Sequence, residues 1–324
     1  MSGAPHPVLR VGTRGSRLSL RQTEIVREAL QRCGRTFVFD VVIVNTAGDR
    51  SPEVPLERLE DIGFFAKDLE AALVDGRCDL AVHSAKDLPT TLHPDLRIAA
   101  FLSREDPRDV LISRSGLRLA ALPAGARIGT SSLRRIAQLL HYRPDLHAVP
   151  MRGNIDTRLQ KLERGEYDAL CLAAAGLVRM GWHDRVTEWL EPELMLPAAA
   201  QGVLAVEVRR ADHDLSEFLS PLDSGPAREA VTAERAFIAR LGSGCRKPAG
   251  ALATVDGRHV ILDGVVARED GSAVRRVRAS GPIGAAEWLG MSAADHMLAQ
   301  SGDLLDAAAS LGGAVLVSDR PRGS

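Results

Sequence analysis

Leu73-Val74-Asp75-Gly76-Arg77-Cys78-Asp79-Leu80-Ala81-Val82-His83-Ser84-Ala85-Lys86-Asp87-Leu88-Pro89 reads as a helix end, a buried strand and an abrupt polar turn. Asp75-Gly76 closes a helix running from about Lys67 to Val74, because glycine takes the left-handed stop at little cost. Leu80-Ala81-Val82 is an apolar run that fits the end of a buried strand. Pro89 then bars a further helical turn. In open α/β sheets ligands sit outside the carboxyl ends of strands, where Lys86 and Asp87 fall. Taken alone, two solvated charges on a surface turn fit these residues equally well.

The same order of events returns further along the chain. Leu73-x-x-Gly76-x-x-Asp79 is matched by Leu162-x-x-Gly165-x-x-Asp168, and Leu88 by Leu177 at the same offset. Upstream, Arg10-Val11-Gly12-Thr13 is echoed by Arg127-Ile128-Gly129-Thr130, each a strand entering a polar turn and a helix. The β-rich run Phe37 to Val44, ending toward Ala47-Gly48-Asp49, is echoed by Ala148-Val149-Pro150-Met151 before Arg152-Gly153-Asn154. Three blocks in one order predict two lobes of one α/β topology. Two such lobes make a cleft, the usual place for a small-molecule site.

Each lobe would bring a strand-to-helix turn whose free amides suit an anion. Those turns carry Arg14 and Ser16 in the first lobe and Thr130-Ser131-Ser132-Leu133-Arg134-Arg135 in the second. Arg152 and Arg158 flank the Gly153-Asn154 turn, and Arg179 follows the last strand of the second lobe. As single residues these arginines read as solvated; as a group at element ends they read as a cleft wall. Helical spacing after Ser16 sets Leu18, Ile25, Val26, Ala29, Leu30 and Cys33 on one face. The stretch between Asn45 and Phe64 lacks periodicity and contains Pro52 and Pro55, which predicts a mobile lid.

Composition narrows the class. A chain of 324 residues is expected to hold about two to three domains. With 26% charged residues and a net charge of −1, no nucleic-acid or anionic membrane surface is expected. No run approaches the length needed to span a bilayer, and Met1-Ser2-Gly3-Ala4-Pro5 lacks the basic start of a signal peptide. Four separated cysteines signal neither a disulfide framework nor a metal site. The expectation is a cytoplasmic protein without a metal.

Gly202 to Val208 reads as a strand returning to the first lobe. Beyond about Pro221 a third unit begins. A helix from Ala227 to Leu241 turns Ala230, Val231, Ala233, Phe237, Ile238 and Leu241 inward. Alternating strands follow, with hairpin turns at Asp256-Gly257 and Asp270-Gly271, and then a helix near Ala285 to Ala299. Cys33, Cys78 and Cys171 are expected to be buried as small hydrophobes. Cys245 differs, because it sits on a glycine-flanked turn beside Arg246 and Lys247, where cations favour the thiolate.

Several segments together resemble the porphobilinogen deaminase (hydroxymethylbilane synthase) family. They are His83-Ser84-Ala85-Lys86-Asp87-Leu88-Pro89, Glu105-Asp106-Pro107-Arg108-Asp109, Gly129 to Arg135, Arg152-Gly153-Asn154, Pro197 to Gly202, and Glu234-Arg235 through Cys245. The resemblance implies two type II periplasmic-binding-protein-like α/β lobes around a cleft, plus a small C-terminal α+β domain. The expected division is residues 1–102 with 203–220, then 103–202, then 221–324. It implies a transferase that joins four porphobilinogen units head to tail with loss of ammonia, giving hydroxymethylbilane on the route to porphyrins and heme. A dipyrromethane cofactor is implied on Cys245 through a thioether.

By the same resemblance Asp87 and Lys86 are catalytic, and both contact the cofactor together with Ser132, Arg134, Arg135 and Arg152. Arg14, Ser16, Arg152, Arg158, Arg179 and Gln201 fall at substrate-binding positions. A monomer that hands its product transiently to uroporphyrinogen III synthase is also implied. The chain departs from the family pattern at Ile62, where a lysine is usual, and at Ser243 and Lys247 around the cysteine. A non-catalytic two-lobed protein for a small anion, and a family relative without activity, are the rival expectations. Cys245 and Asp87 discriminate, since a mere binder needs neither.

Overall fold

The computed structural model describes residues 8–45, 66–242 and 247–310, the last ten as backbone only. The expected lid with Ile62, and Ser243 and Cys245, lie outside the described residues. The chain opens with strand β1 (Val8–Thr13), helix α1 (Arg17–Arg32) and β2 (Val38–Ile43), followed by α2 (Lys67–Val74), β3 (Leu80–Ser84) and β4 (Leu96–Phe101). The order then repeats with β5 (Asp109–Ser113), β6 (Arg127–Gly129), α3 (Leu133–Tyr142), β7 (His147–Val149), α4 (Ile155–Glu163), β8 (Ala169–Ala173), α5 (Ala174–Arg179) and β9 (Glu188–Leu190). Strand β10 (Leu204–Arg209) and helix α6 (His213–Leu219) come next.

The two sheets share one plan. The first runs β2-β1-β3-β10-β4 and the second β7-β6-β8-β5-β9. In each, four of the five strands run one way and the fourth in order, β10 or β5, runs antiparallel to both neighbours. The repeated motif explains itself at the level of hydrogen bonds. Arg10 donates N and Nε to Asp79 Oδ2 (3.0 and 3.1 Å) and Nη1 to the Gly76 carbonyl (2.8 Å). Arg127 donates N and Nε to Asp168 Oδ2 (2.8 and 3.3 Å) and Nη2 to the Gly165 carbonyl (2.9 Å). In both lobes an arginine on β1 or β6 is fastened to the aspartate and glycine that follow a helix and precede the central strand, β3 or β8. Gly76 and Gly165 take φ of +69° and +77°, where a side chain would be strained.

The architecture is α/β, with two lobes of one sheet order and a small α+β domain. That domain consists of helix α7 (Gly225–Arg240), the antiparallel sheet β11 (Ala249–Asp256), β12 (His259–Ala267) and β13 (Val274–Pro282), and helix α8 (Ala286–Ser310). Its core sets Phe237 of α7 against Leu262, Val266 and Ala294. The first lobe's core joins Val26 and Leu30 of α1 to Val11, Leu80, Val82 and Val206. Among the described residues no helix is long and apolar enough to cross a membrane.

Two segments connect the lobes, and they meet closely. Glu105 N donates to the Gly202 carbonyl at 3.0 Å. Gly202 has φ +89°, and a Cβ there would lie 2.3 Å from the Glu105 carbonyl oxygen, so no other residue fits this crossing. Ala200 beside it holds φ 62°, a conformation costly for a non-glycine residue.

Three expectations need correction. Strand β3 does not end near Val82 but continues through His83 and Ser84, because β10 supplies backbone partners Ala205 and Leu204 to them. The last helix runs past Ala299 to Ser310. Cys33 is exposed: α1 stops at Arg32 and Gly34 turns the chain, so its sulfur never reaches the packed stripe. Cys78 and Cys171 are buried as expected.

Candidate active site

β3 delivers a buried strand to the space between the lobes and ends in a single tight turn, Ala85–Asp87. That turn is fixed from below by Ala85 N, which donates to the Val203 carbonyl at 2.9 Å. Across from it stand the β7-to-α4 turn, the end of α5 and the start of α1. Ser16 caps α1, its hydroxyl accepting from Ser19 N at 3.1 Å. These elements enclose a cleft of about 550 Å³. Its lining includes six cations (Arg14, Lys86, Arg135, Arg152, Arg158 and Arg179) against two carboxylates, Asp87 and Asp156. One of those carboxylates is already engaged, since Asp156 binds Arg17 across the lobes at 2.8 Å. The cleft is therefore built for an anionic ligand, with one carboxylate left on its floor.

Burial leaves three of these cations, Lys86, Arg158 and Arg179, short of solvation. It pulls Lys86 down to about 8, with Asp87 opposing and Arg135 adding to the effect. It pulls Arg158 and Arg179 down to about 10, although both stay charged at neutral pH. Arg179 donates Nη2 to the Gly202 carbonyl (2.6 Å) and Arg158 donates Nε to that of Gly153 (2.7 Å), which aims each guanidinium. Ligand carboxylates arriving here would replace lost water with charge-assisted hydrogen bonds.

Behind the wall lies a carboxylate that sequence reasoning did not single out. Asp109, fully buried at the start of β5, accepts from Arg134 Nη1 (2.6 Å), Arg135 Nη2 (2.7 Å) and Gln201 Nε2 (2.9 Å). Burial alone would raise its pKa, yet Arg134 and Arg135 outweigh it and hold the carboxyl far below the usual range. Gln201 in turn accepts from Lys86 Nζ at 3.3 Å, so one amide joins the Lys86 turn to Asp109. Gln22 of α1 also reaches the cleft and donates to Ser84 Oγ at 2.9 Å. A second buried group sits under the turn: His83 Nε2 lies 3.0 Å from Glu207 Oε2, and Glu70, raised by burial and then by Glu207, lies near them.

Arg14, Ser16, Lys86, Asp87, Arg135, Arg152, Arg158, Arg179 and Gln201 come together on the cleft wall. Ser132 and Arg134 do not line it: Ser132 begins α3, and Arg134 is turned to Asp109 and the Leu196 carbonyl (2.7 Å). The place of Cys245 lies outside the described residues. Asp109 belonged to a quoted motif, Glu105 to Asp109, but nothing in the local sequence marked which of its three carboxylates would be buried.

Comparison with known proteins agrees with this arrangement. A family model described as "Porphobilinogen deaminase, dipyromethane cofactor binding domain" matches residues 9–217, and one for the "Porphobilinogen deaminase, C-terminal domain" matches residues 228–299. The porphobilinogen deaminase of Roseiflexus sp. (strain RS-1) is 49% identical over 92% of this chain and 98% of its own length. That of Desulfitobacterium hafniense (strain DSM 10664 / DCB-2) is 46% identical over 90% of this chain and 94% of its own. Among solved structures, the Bordetella pertussis BvgS VFT2 domain aligns at a TM-score of 0.40 with 17% identity, covering 67% of this chain and 87% of that one. At that score the likeness adds nothing to the sheet orders above. With both models in chain order and relatives of nearly half identity along nine-tenths of the sequence, this chain belongs to the porphobilinogen deaminase family.

Proposed function

We propose that this protein is a hydroxymethylbilane synthase, a transferase that condenses four porphobilinogen units head to tail and releases ammonia at each step. The observation that carries the reading is Asp87 with Lys86 on the floor of a cleft otherwise walled by five arginines. Each porphobilinogen brings an acetate and a propionate, so a growing chain multiplies negative charge. Arg14, Arg135, Arg152, Arg158 and Arg179 hold those carboxylates, each contact contributing roughly 1.5–3 kcal/mol.

When bound, the dipyrromethane cofactor supplies the nucleophilic pyrrole carbon on which the chain grows, and Cys245 holds it through a thioether. The cations gathered with Lys86 along the cleft fit such a polycarboxylate. Loss of ammonia from the incoming aminomethyl group takes up a proton and leaves positive charge spread toward the pyrrole nitrogen. Formation of the carbon–carbon bond then releases a proton from the attacked ring carbon. One proton enters and one leaves in each round. Among the described residues Asp87 is the cleft carboxylate not committed to an arginine across the lobes, and it both stabilises the cation and moves these protons. Gln201 accepts from Lys86 and keeps it beside Asp87, and Asp109, shared with Arg134, aims Arg135 from behind.

The unit boundaries at 102/103, 202/203 and 220/221, a cytoplasmic monomer, and direct passage of product to uroporphyrinogen III synthase complete the proposal. Two measurements test it together. The intact mass of the purified chain should exceed the sequence mass by two linked pyrrole units, and the excess should vanish in Cys245→Ala. Asp87→Asn should keep the fold and lose nearly all turnover, about 10²–10⁴-fold for the proton transfer alone. A chain of plain sequence mass would favour a non-catalytic anion binder. Substantial turnover in Asp87→Asn would remove that carboxylate from the chemistry.

A further inference from the structure

Helix α7 belongs to the small domain, yet one of its stripes faces the first lobe. Ala230, Ala233 and Phe237 pack into the small domain's core. Ala227 and Val231 instead pack against Ala85 and Leu88, on either side of Asp87. Arg235 is the next member of that i, i+4, i+8 stripe, and it is half-buried. Its guanidinium is directed at main chain. Nη2 donates to the carbonyls of Pro89 (2.5 Å) and Thr90 (3.2 Å), and Nη1 reaches that of Leu88 (3.5 Å). Three consecutive carbonyls immediately after Asp87 are thus gathered by one cation from another domain.

A planar fork with five donors suits this task, whereas an ammonium offers a single point. Such an arrangement is expensive unless it serves position, because burial lowers the pKa of Arg235 and the nearby charge of Glu207 only partly offsets that. The turn is then clamped at both ends: Ala85 N is held by Val203 of the returning segment, and Leu88–Thr90 by α7. The chain of α7 continues within five residues of its last turn, Arg240, to Cys245.

We propose that Arg235 is a positioning residue, fixing the Asp87 turn to helix α7 so that the cleft carboxylate keeps its place against the small domain while the chain grows. The catalytic half of this inference rests on the synthase reading; the clamp itself does not. Displacement of a reacting group by about 1 Å can cost about 100-fold in rate, and loss of the clamp acts at that scale without touching the arginines that bind substrate.

The test compares full-length Arg235→Gln and Arg235→Lys with the unmodified protein by hydrogen exchange, intact mass and steady-state kinetics. In Arg235→Gln, amides within residues 84–92 should exchange at least about tenfold faster while those of β10 stay within about twofold. Mass should show the pyrrole primer still attached. Turnover per primed molecule should fall about 10- to 100-fold with KM for porphobilinogen within about twofold, and Arg235→Lys should lie between the two. Unchanged exchange at 84–92 overturns the clamp, and so does an unchanged kcat per primed molecule. Should Arg235→Gln fail to fold, the lysine variant carries the same comparison. If the unmodified protein itself makes no tetrapyrrole, the synthase reading falls, and the exchange arm still decides the clamp.

Discussion

Asp109→Asn removes one negative charge from a site holding two buried arginines. Asp109 is fully buried and accepts from Arg134 Nη1 (2.6 Å), Arg135 Nε (3.1 Å) and Nη2 (2.7 Å), and Gln201 Nε2 (2.9 Å). An asparagine keeps one acceptor oxygen for Arg135 and Gln201, but its amide nitrogen then meets the Arg134 guanidinium, donor against donor. Breaking a buried pair from one side costs about 3–5 kcal/mol, since the remaining charges stay desolvated. Amide exchange in β5 and β8, which pair directly, should therefore accelerate roughly 150- to 5,000-fold, up to the limit set by global opening. The pH dependence gives a second check. The native carboxyl lies below its unfolded value of about 3.9, so its contribution is complete above that pH and is lost as pH falls through the folded value. The gap between variant and parent should be flat from pH 5 to 8 and close below about pH 4. A change in exchange under about fivefold, near 1 kcal/mol, would show that water already neutralises this site and would refute the argument.

Two further outcomes follow from the cleft. Arg152→Leu removes one charge-assisted contact, about 1.5–3 kcal/mol, and should lower kcat/KM for porphobilinogen about 10- to 150-fold or block primer assembly; unchanged kinetics would place that arginine outside the binding wall. Lys86 is held at about 8 instead of 10.5, so its charge is present below pH 8 and gone above it. Its ionised form costs the folded state stability below that pH, and the cost fades between pH 8 and 10.5. A side-chain NMR titration of the four lysines should show one turning over near pH 8, and that signal should be missing from Lys86→Met. A Lys86 signal that titrates near 10.5 would mean the cleft wets it fully.

The twin-lobe plan was legible because the repeated residues are the ones that build the repeated geometry. Arg10 on β1 and Arg127 on β6 each bind the aspartate, Asp79 or Asp168, that precedes the neighbouring strand β3 or β8, and that arrangement needs the same residue types at the same spacing. The cleft arginines were legible only as a group placed at element ends, and Arg134 shows the limit of that inference: adjacent to Arg135 in sequence, it points into the wall toward Asp109. On a helix, neighbours diverge by roughly 100°, so the sequence of a turn does not say which arginine faces ligand and which faces core. Cys33 misled for a related reason, since a helical stripe continues in sequence beyond the point where Gly34 ends the helix in space.

Asp109, Glu207 and Arg235 were invisible for a deeper reason. Each meets its partners only after β5 has paired within the second lobe, β10 has returned to the first or α7 has docked, at sequence separations from 25 to 147 residues. Local pattern reports what a segment can bury, whereas these charges are tolerated in the interior only because distant segments neutralise or aim them. The chemistry of the floor therefore depends on the crossings between units more than on the turn that carries Asp87. Lys86 is reached through Gln201 on one connecting segment, and the residues after Asp87 are held by a helix of the small domain. A substitution in either place should change turnover before it changes affinity, because four of the five arginines proposed to hold substrate carboxylates (Arg135, Arg152, Arg158 and Arg179) are mounted on the other lobe.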